Sequence, residues 1–250
     1  MQITWNITTE DTAKVKSFVE KYQDDLFVKE RIRKNLATEK PPVTKETFWY
    51  WLVACLLTTQ QRSGPNSAIN QFLTTKPFPL GLDNCNSANK LAAFAEGTIK
   101  NFGGIRRGTT IGRELQKNLQ WLDNEGWEPT LSHLDQLRES DDRLLERTVA
   151  EFIDENLAGF GPKQSRNLLQ ALGLTRYETP IDSRITKWLN AFGFPVRLSA
   201  GALSDRHYYE FISDGFQELC KEAGVYPCVL DAAIFTSYDD GGWTEDILVW

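Results

Sequence analysis

The run Phe48-Trp49-Tyr50-Trp51-Leu52-Val53-Ala54-Cys55-Leu56-Leu57 carries no charge and presents apolar side chains on every face of a helix. It falls well short of the ~20 residues that span a bilayer, so it must be surrounded by other parts of its own chain. Thr44 supplies an N-cap ahead of it, and the polar patch Thr58-Thr59-Gln60-Gln61-Arg62 closes it. The surrounding elements are expected to be helices. Apolar residues recur at helical spacing almost everywhere, and alternating runs of β-branched and aromatic residues are nearly absent. The sequence therefore predicts an all-α fold, built as two helical lobes with a cleft between them.

The chain predicts a first helix from Thr8 or Thr9 through Val15, Phe18, Val19 and Tyr22, with a basic extension to about Leu36 before Lys40-Pro41-Pro42 breaks it. Shorter helices are expected around Ser67 to Phe72, Ser87 to Thr98 and Thr109 to Leu122, then from Asp141 to Glu155. The segment Leu157 to Lys163 separates that helix from one running to about Leu172, and another opens at Asp182. Helices near Asp205 to Ala223 and Pro227 to Tyr238 complete the chain. No linker or repeat divides it into independent parts.

Its 28 basic and 34 acidic residues give a net charge of -6, which argues against a protein that coats nucleic acid over its whole surface. The charge is segregated, however. Basic residues cluster at Lys29 to Lys34, Arg106-Arg107, Lys163 to Arg166 and Arg184 to Lys187, and a local basic face can steer a polyanion. Fourteen Phe, eight Trp and seven Tyr exceed the needs of a simple core, so some can line a pocket. The N-terminus lacks the pattern of a targeting signal and no stretch is long and apolar enough for a membrane span, so a cytosolic protein, nucleoid-associated in a prokaryote, is expected. The four cysteines at 55, 85, 220 and 228 have no metal-site spacing and read as reduced thiols. His133 and His207 stand far apart and build no metal site.

Gly159-Phe160-Gly161-Pro162-Lys163 lies between two expected helices. Its glycines can take backbone angles closed to other residues, and Pro162 suits a first helical position. Bare N–H groups and the positive end of a helix dipole would suit a phosphate there. Taken alone, the signal is weak, because Gly-x-Gly turns between helices more often mean only close packing.

The same stretch, Leu157 to Gly173, followed by Thr179-Pro180-Ile181-Asp182-Ser183-Arg184-Ile185, resembles the signature of the helix-hairpin-helix DNA glycosylase superfamily. The resemblance implies a helix-hairpin-helix motif near residues 150–172, with Lys163 at the catalytic lysine and Asp182 at the catalytic aspartate. Their spacing resembles the 8-oxoguanine DNA glycosylase/AP lyase branch, and the missing cysteine cluster points to members without an iron-sulfur cluster. One unit spanning residues 1–250 is implied, with residues 44–172 as a central lobe and residues 1–43 plus 182–250 as the second. Upstream, Phe48 to Gln61 resembles the family's apolar helix and its gap-filling turn, and Ile99 to Gly104 the segment bearing its duplex wedge.

On this resemblance the partner is double-stranded DNA containing a damaged base, with no membrane involved and a monomer expected. The base is flipped out and an oxidised purine, 8-oxoguanine foremost, is removed through a lysine Schiff base and β-elimination. The aspartate would stabilise the positive charge that develops on the sugar. An attacking lysine must be unprotonated, whereas a free lysine titrates near ~10.4, so the chemistry favours a lysine at a buried or helix-terminal position. Gly159, Gly161, Gln60, Gln61, Arg184 and Lys187 are the expected DNA contacts, with Gln60 or Gln61 filling the gap. Trp243 and Trp250 are candidates to stack on the extruded base. No cofactor or catalytic metal is required, although hairpin carbonyls could hold a structural cation. The same chemistry on an oxidised pyrimidine or an alkylated or substituted base, and a noncatalytic DNA-binding module, are the alternatives.

Overall fold

The computed structural model describes residues 4–239 and 241–244, and among these every regular element is a helix. The chain runs through α1 (Thr9–Tyr22), α2 (Leu26–Asn35), α3 (Lys45–Thr58), α4 (Ala68–Thr74), α5 (Leu82–Asn86), α6 (Leu91–Phe102) and α7 (Gly108–Trp121). It continues with α8 (Trp127–Glu139), α9 (Arg143–Asn156), α10 (Pro162–Ala171), α11 (Ser183–Phe192), α12 (Arg206–Ala223) and α13 (Pro227–Ser237). No helix among the described residues is long and apolar enough to cross a membrane.

The apolar helix α3 is the centre of one core. Phe48, Trp49 and the residues from Leu52 to Leu57 are buried, and Thr44 caps the helix by accepting from the Thr47 amide at 3.2 Å. Helices α4 to α10 pack around it through Phe72, Ile99, Ile111, Leu115, Leu137, Val149, Ile153 and Leu168. A second core gathers Val15 of α1 with Ile185 and Leu189 of α11, Tyr209, Ile212 and Phe216 of α12, and Leu230 and Ile234 of α13. A smaller cluster joins Phe27 and Val28 of α2 to Val229, Ala232 and Ala233 of α13. Two helical lobes result, with a cleft between them into which α2, α3, α10, α11 and α13 all contribute side chains.

Two local expectations need correction. The first helix does not extend to Leu36, because Asp25 accepts from the Phe27 amide at 2.8 Å and starts α2 as a separate helix. That break lets α2 turn toward α13. Helix α8 is absent from the expected helices: α7 does not stop at Leu122 but passes through a π-helical turn, Leu122–Gly126, directly into it.

Candidate active site

The hairpin between α9 and α10 is built by local geometry and by one side chain from α7. Gly159 has φ +84, and a Cβ there would lie 2.7 Å from Leu56 and 2.6 Å from the Glu114 carboxyl carbon, so only glycine fits. Asn118 brackets the preceding residue, accepting from the Ala158 amide at 2.7 Å and donating to its carbonyl at 3.0 Å. Gly161 differs from expectation. Its φ of -139 is ordinary extended backbone and a Cβ there would meet nothing within 4 Å. The lack of a side chain at Gly161 leaves an open approach to the start of α10 rather than relieving strain.

Pro162 is the first residue of α10 and no side chain caps that end, so the leading amides are free to meet an anion. Lys163 follows at once, half-buried, and its side chain lines the cleft. The next turn anchors α10 to the end of α3: Gln164 donates to the Cys55 carbonyl at 2.7 Å and to the Thr59 hydroxyl at 2.5 Å.

Asp182 faces the same cleft from the start of α11. One carboxylate oxygen accepts from the amides of Arg184 and Ile185 at 2.7 and 3.3 Å; the other accepts from Arg184 Nε and Nη2 at 2.9 and 2.7 Å. Burial pushes this carboxyl up, but the charge and hydrogen bonds of Arg184, with a further pull from Lys163, hold it below the usual carboxylate value. It is therefore an anion set beside a cation at the mouth of two helices. The Arg184 guanidinium also lies 4.3 Å from the centre of the Phe235 ring, so it is held between Asp182 and an aromatic wall.

A buried network fixes how α10 and Asp182 sit relative to one another. Arg166 donates from Nη1 to the Pro162 carbonyl at 3.0 Å and from Nε to Glu178 at 2.5 Å, and stacks on Tyr209 at 4.7 Å. Tyr209 donates to the Thr179 carbonyl and accepts from the Ile181 amide, both at 2.7 Å. Glu146 accepts from the amides of Arg176, Tyr177 and Glu178, each at 2.8 Å. The residues from 176 to 181 are thus pinned at several points just before Asp182. Sequence reasoning missed this network because its members lie far apart; a buried Arg and Glu flanking the hairpin and the aspartate gave no local pattern.

The cleft encloses about 380 Å³. Arg31, Arg62, Lys163 and Arg184 line it against only two acids, Asp182 and Asp231, giving a local positive balance in an acidic chain. Of the expected DNA contacts, Gln60, Gln61 and Arg184 line it and Gly159 and Gly161 form the adjoining hairpin, whereas Lys187 is exposed on α11 outside it. Gln60 and Gln61 separate clearly. The Gln61 side chain is occupied, donating to the carbonyls of Leu57 and Arg106 at 2.9 and 3.1 Å and accepting from the Arg106 amide at 2.6 Å. Gln60 is exposed, has φ +58, and its side chain makes no hydrogen bond among the described residues. Trp243 donates to Asp239 at 2.6 Å and meets Phe27 and Phe235, both cleft residues, at ring distances of 6.1 and 6.3 Å. Trp250 lies outside the described residues. No cluster of three metal-binding side chains occurs among the described residues.

No family profile and no curated protein sequence matches the chain. Solved structures do. The 8-oxoguanine DNA glycosylase of Methanocaldococcus jannaschii superposes with a TM-score of 0.63 at 17% identity, covering 95% of this chain and 99% of the other. This is the 8-oxoguanine DNA glycosylase fold. The Methanocaldococcus jannaschii 8-oxoguanine glycosylase/lyase bound to a 15mer DNA containing 8-oxoguanine gives 0.65 at 15% identity over 93% of this chain and 100% of the other. The Thermotoga maritima 8-oxoguanine DNA glycosylase gives 0.59 at 13% over 93% and 97%. The glycosylase fold thus extends over nearly the whole chain although few residues are shared.

Proposed function

We propose that the chain is a bifunctional DNA glycosylase and AP lyase that flips out and removes an oxidised purine, 8-oxoguanine foremost, from duplex DNA. The observation that carries this reading is the meeting of Lys163 and Asp182 in one positively lined cleft, each at the start of a helix that the buried Arg166 network holds in place. The similar solved structures are described as 8-oxoguanine DNA glycosylases, and one as a glycosylase/lyase with DNA.

The chemistry follows from the residues. The open amides of α10 bind phosphate, and Gln60 enters the space left by the extruded base. The Lys163 amine attacks C1′, the C1′–N bond breaks, and the base departs with the bonding electrons and is protonated. Asp182, ionised and fixed by Arg184, stabilises the positive charge on the sugar as that bond lengthens. The C1′–O4′ bond of the lysine adduct then opens, O4′ taking a proton as the amine loses one, to give a Schiff base; this acidifies the C2′ hydrogen, loss of that proton expels the 3′ phosphate by β-elimination, and water releases the lysine.

The test is a panel of duplexes, each carrying one lesion and a labelled strand, assayed for base release and for nicking without added alkali. Release of 8-oxoguanine with coupled nicking is expected. Release of another base with 8-oxoguanine ignored would overturn the substrate, and tight duplex binding with no release from any lesion would favour a noncatalytic module.

A further inference from the structure

Arg31 belongs to a run of basic residues on α2, yet it is 7% exposed, and its guanidinium lines the cleft. Among the described residues it makes no hydrogen bond and no ion pair, and its guanidinium lies 5.4 Å from the centre of the Phe27 ring. A buried guanidinium with no acceptor is costly unless something supplies one. Across the same cleft Asp231 is 9% exposed, and one of its oxygens accepts from Gln170 at 3.0 Å while the other has no partner among the described residues. Burial works against the charge of both groups, and each is the strongest electrostatic partner of the other. They do not touch. A donor without an acceptor thus stands near an acceptor without a donor, with Phe27, Phe235 and Ile234 as apolar walls.

Asp231 is tied through Gln170 to α10, the helix that carries Lys163, and feels the charges of Asp182 and Arg184, whereas Arg31 stands on α2 beside Phe27. A base entering with its sugar at Lys163 and Asp182 would therefore meet Asp231 first and Arg31 deeper. On a guanine-type Watson–Crick edge the groups nearer the sugar are donors, the N2 amino and N1–H, and the far group is the O6 acceptor. Adenine reverses this: its ring nitrogen accepts and its far amino group donates.

We propose that Arg31 is a specificity-determining residue that donates to the far carbonyl of an extruded guanine-type base while Asp231 accepts from the neighbouring N–H groups. The pairing completes the hydrogen bonding of both buried groups and turns an adenine-type edge away, because donor would then face donor and acceptor face acceptor. This rests on the glycosylase reading above.

The test compares two single-turnover reactions of the same variants: excision from a duplex with 8-oxoguanine opposite cytosine, and nicking of a duplex with a preformed abasic site, where no base is present to be read. Arg31→Met should lower excision by about 10- to 100-fold while leaving abasic nicking within about threefold of wild type. Arg31→Lys, which keeps one donor, should fall between. The preference for 8-oxoguanine over 8-oxoadenine, which differs in this edge, should shrink in Arg31→Met. Unchanged excision, or an equal loss of excision and abasic nicking, would overturn the role of Arg31 while leaving the glycosylase reading intact. A wild-type protein that neither excises a base nor nicks an abasic site would overturn both.

Discussion

Glu178 is the point at which the buried network can be broken with least change of shape. Its carboxylate is fully buried and accepts from Arg166 at 2.5 Å, Arg147 at 3.0 Å and Gln217 at 2.8 Å. Burial raises its pKa, but the two guanidiniums hold it below the usual value. Glu178→Gln keeps the volume, removes the charge facing the two arginines and turns one acceptor into a donor. Arg147 has a second partner in Asp214 at 2.7 Å and is 19% exposed, so that half is cushioned; Arg166, 2% exposed, pairs with no other carboxylate among the described residues. Removing one partner of a buried pair costs about 3–5 kcal/mol, and the cushioning places this variant near the lower end, at about 3 kcal/mol. In a chain of this size that lowers Tm by about 6–12 °C, measurable by circular dichroism at neutral pH. The sign with pH adds a control. A depressed carboxylate stabilises above its unfolded pKa, and that contribution disappears as pH falls through the folded value. The two proteins should therefore converge in acid. A Tm within about 2 °C of wild type at neutral pH would refute the reasoning.

Other outcomes follow from the site. Gly159→Ala forces a Cβ into Leu56 and Glu114 at φ +84, so it should destabilise by about 1–3 kcal/mol and weaken duplex binding, whereas Gly161→Ala should leave stability unchanged; urea unfolding separates them. Gln60→Ala should slow base extrusion, followed with a fluorescent base beside the lesion, without changing Tm, while Gln61→Ala should lower Tm by freeing the Arg106 loop from α3. Burial, with the Glu178 charge adding to it, pushes the Glu146 carboxyl up to about 7 despite its three amide donors. A carboxyl raised in the folded state binds its proton more tightly there, so stability should fall as pH rises through that value, and Glu146→Gln should flatten that part of the profile. Asp182 and Glu178, held low, are already ionised over that range.

What the sequence made legible was local. Thr44 before an uncharged run identified α3, and Gly159, Lys163 and Asp182 lie in one short stretch whose turn and caps are short-range physics. What stayed hidden depended on contacts between helices far apart in the sequence. Arg31 belongs to the basic cluster Lys29 to Lys34, which by sequence is only a face able to steer a polyanion, and the docking of α2 on α13 buries it. Asp231 left a trace, as a lone charge in the otherwise apolar stretch Pro227 to Phe235, where an unsupported carboxylate is costly. Arg184 was read as a phosphate contact, yet in the free protein its hydrogen bonds go to Asp182, a partner only two residues away that the N-cap geometry brings into reach.

The central claim is that Lys163 is the nucleophile. Incubating the protein with a duplex bearing 8-oxoguanine under borohydride, then mapping the linked peptide, tests it directly. The account predicts a covalent adduct at Lys163 that disappears in Lys163→Gln while duplex binding remains. An adduct that survives the substitution, or none with any lesion in the wild-type protein, would contradict it.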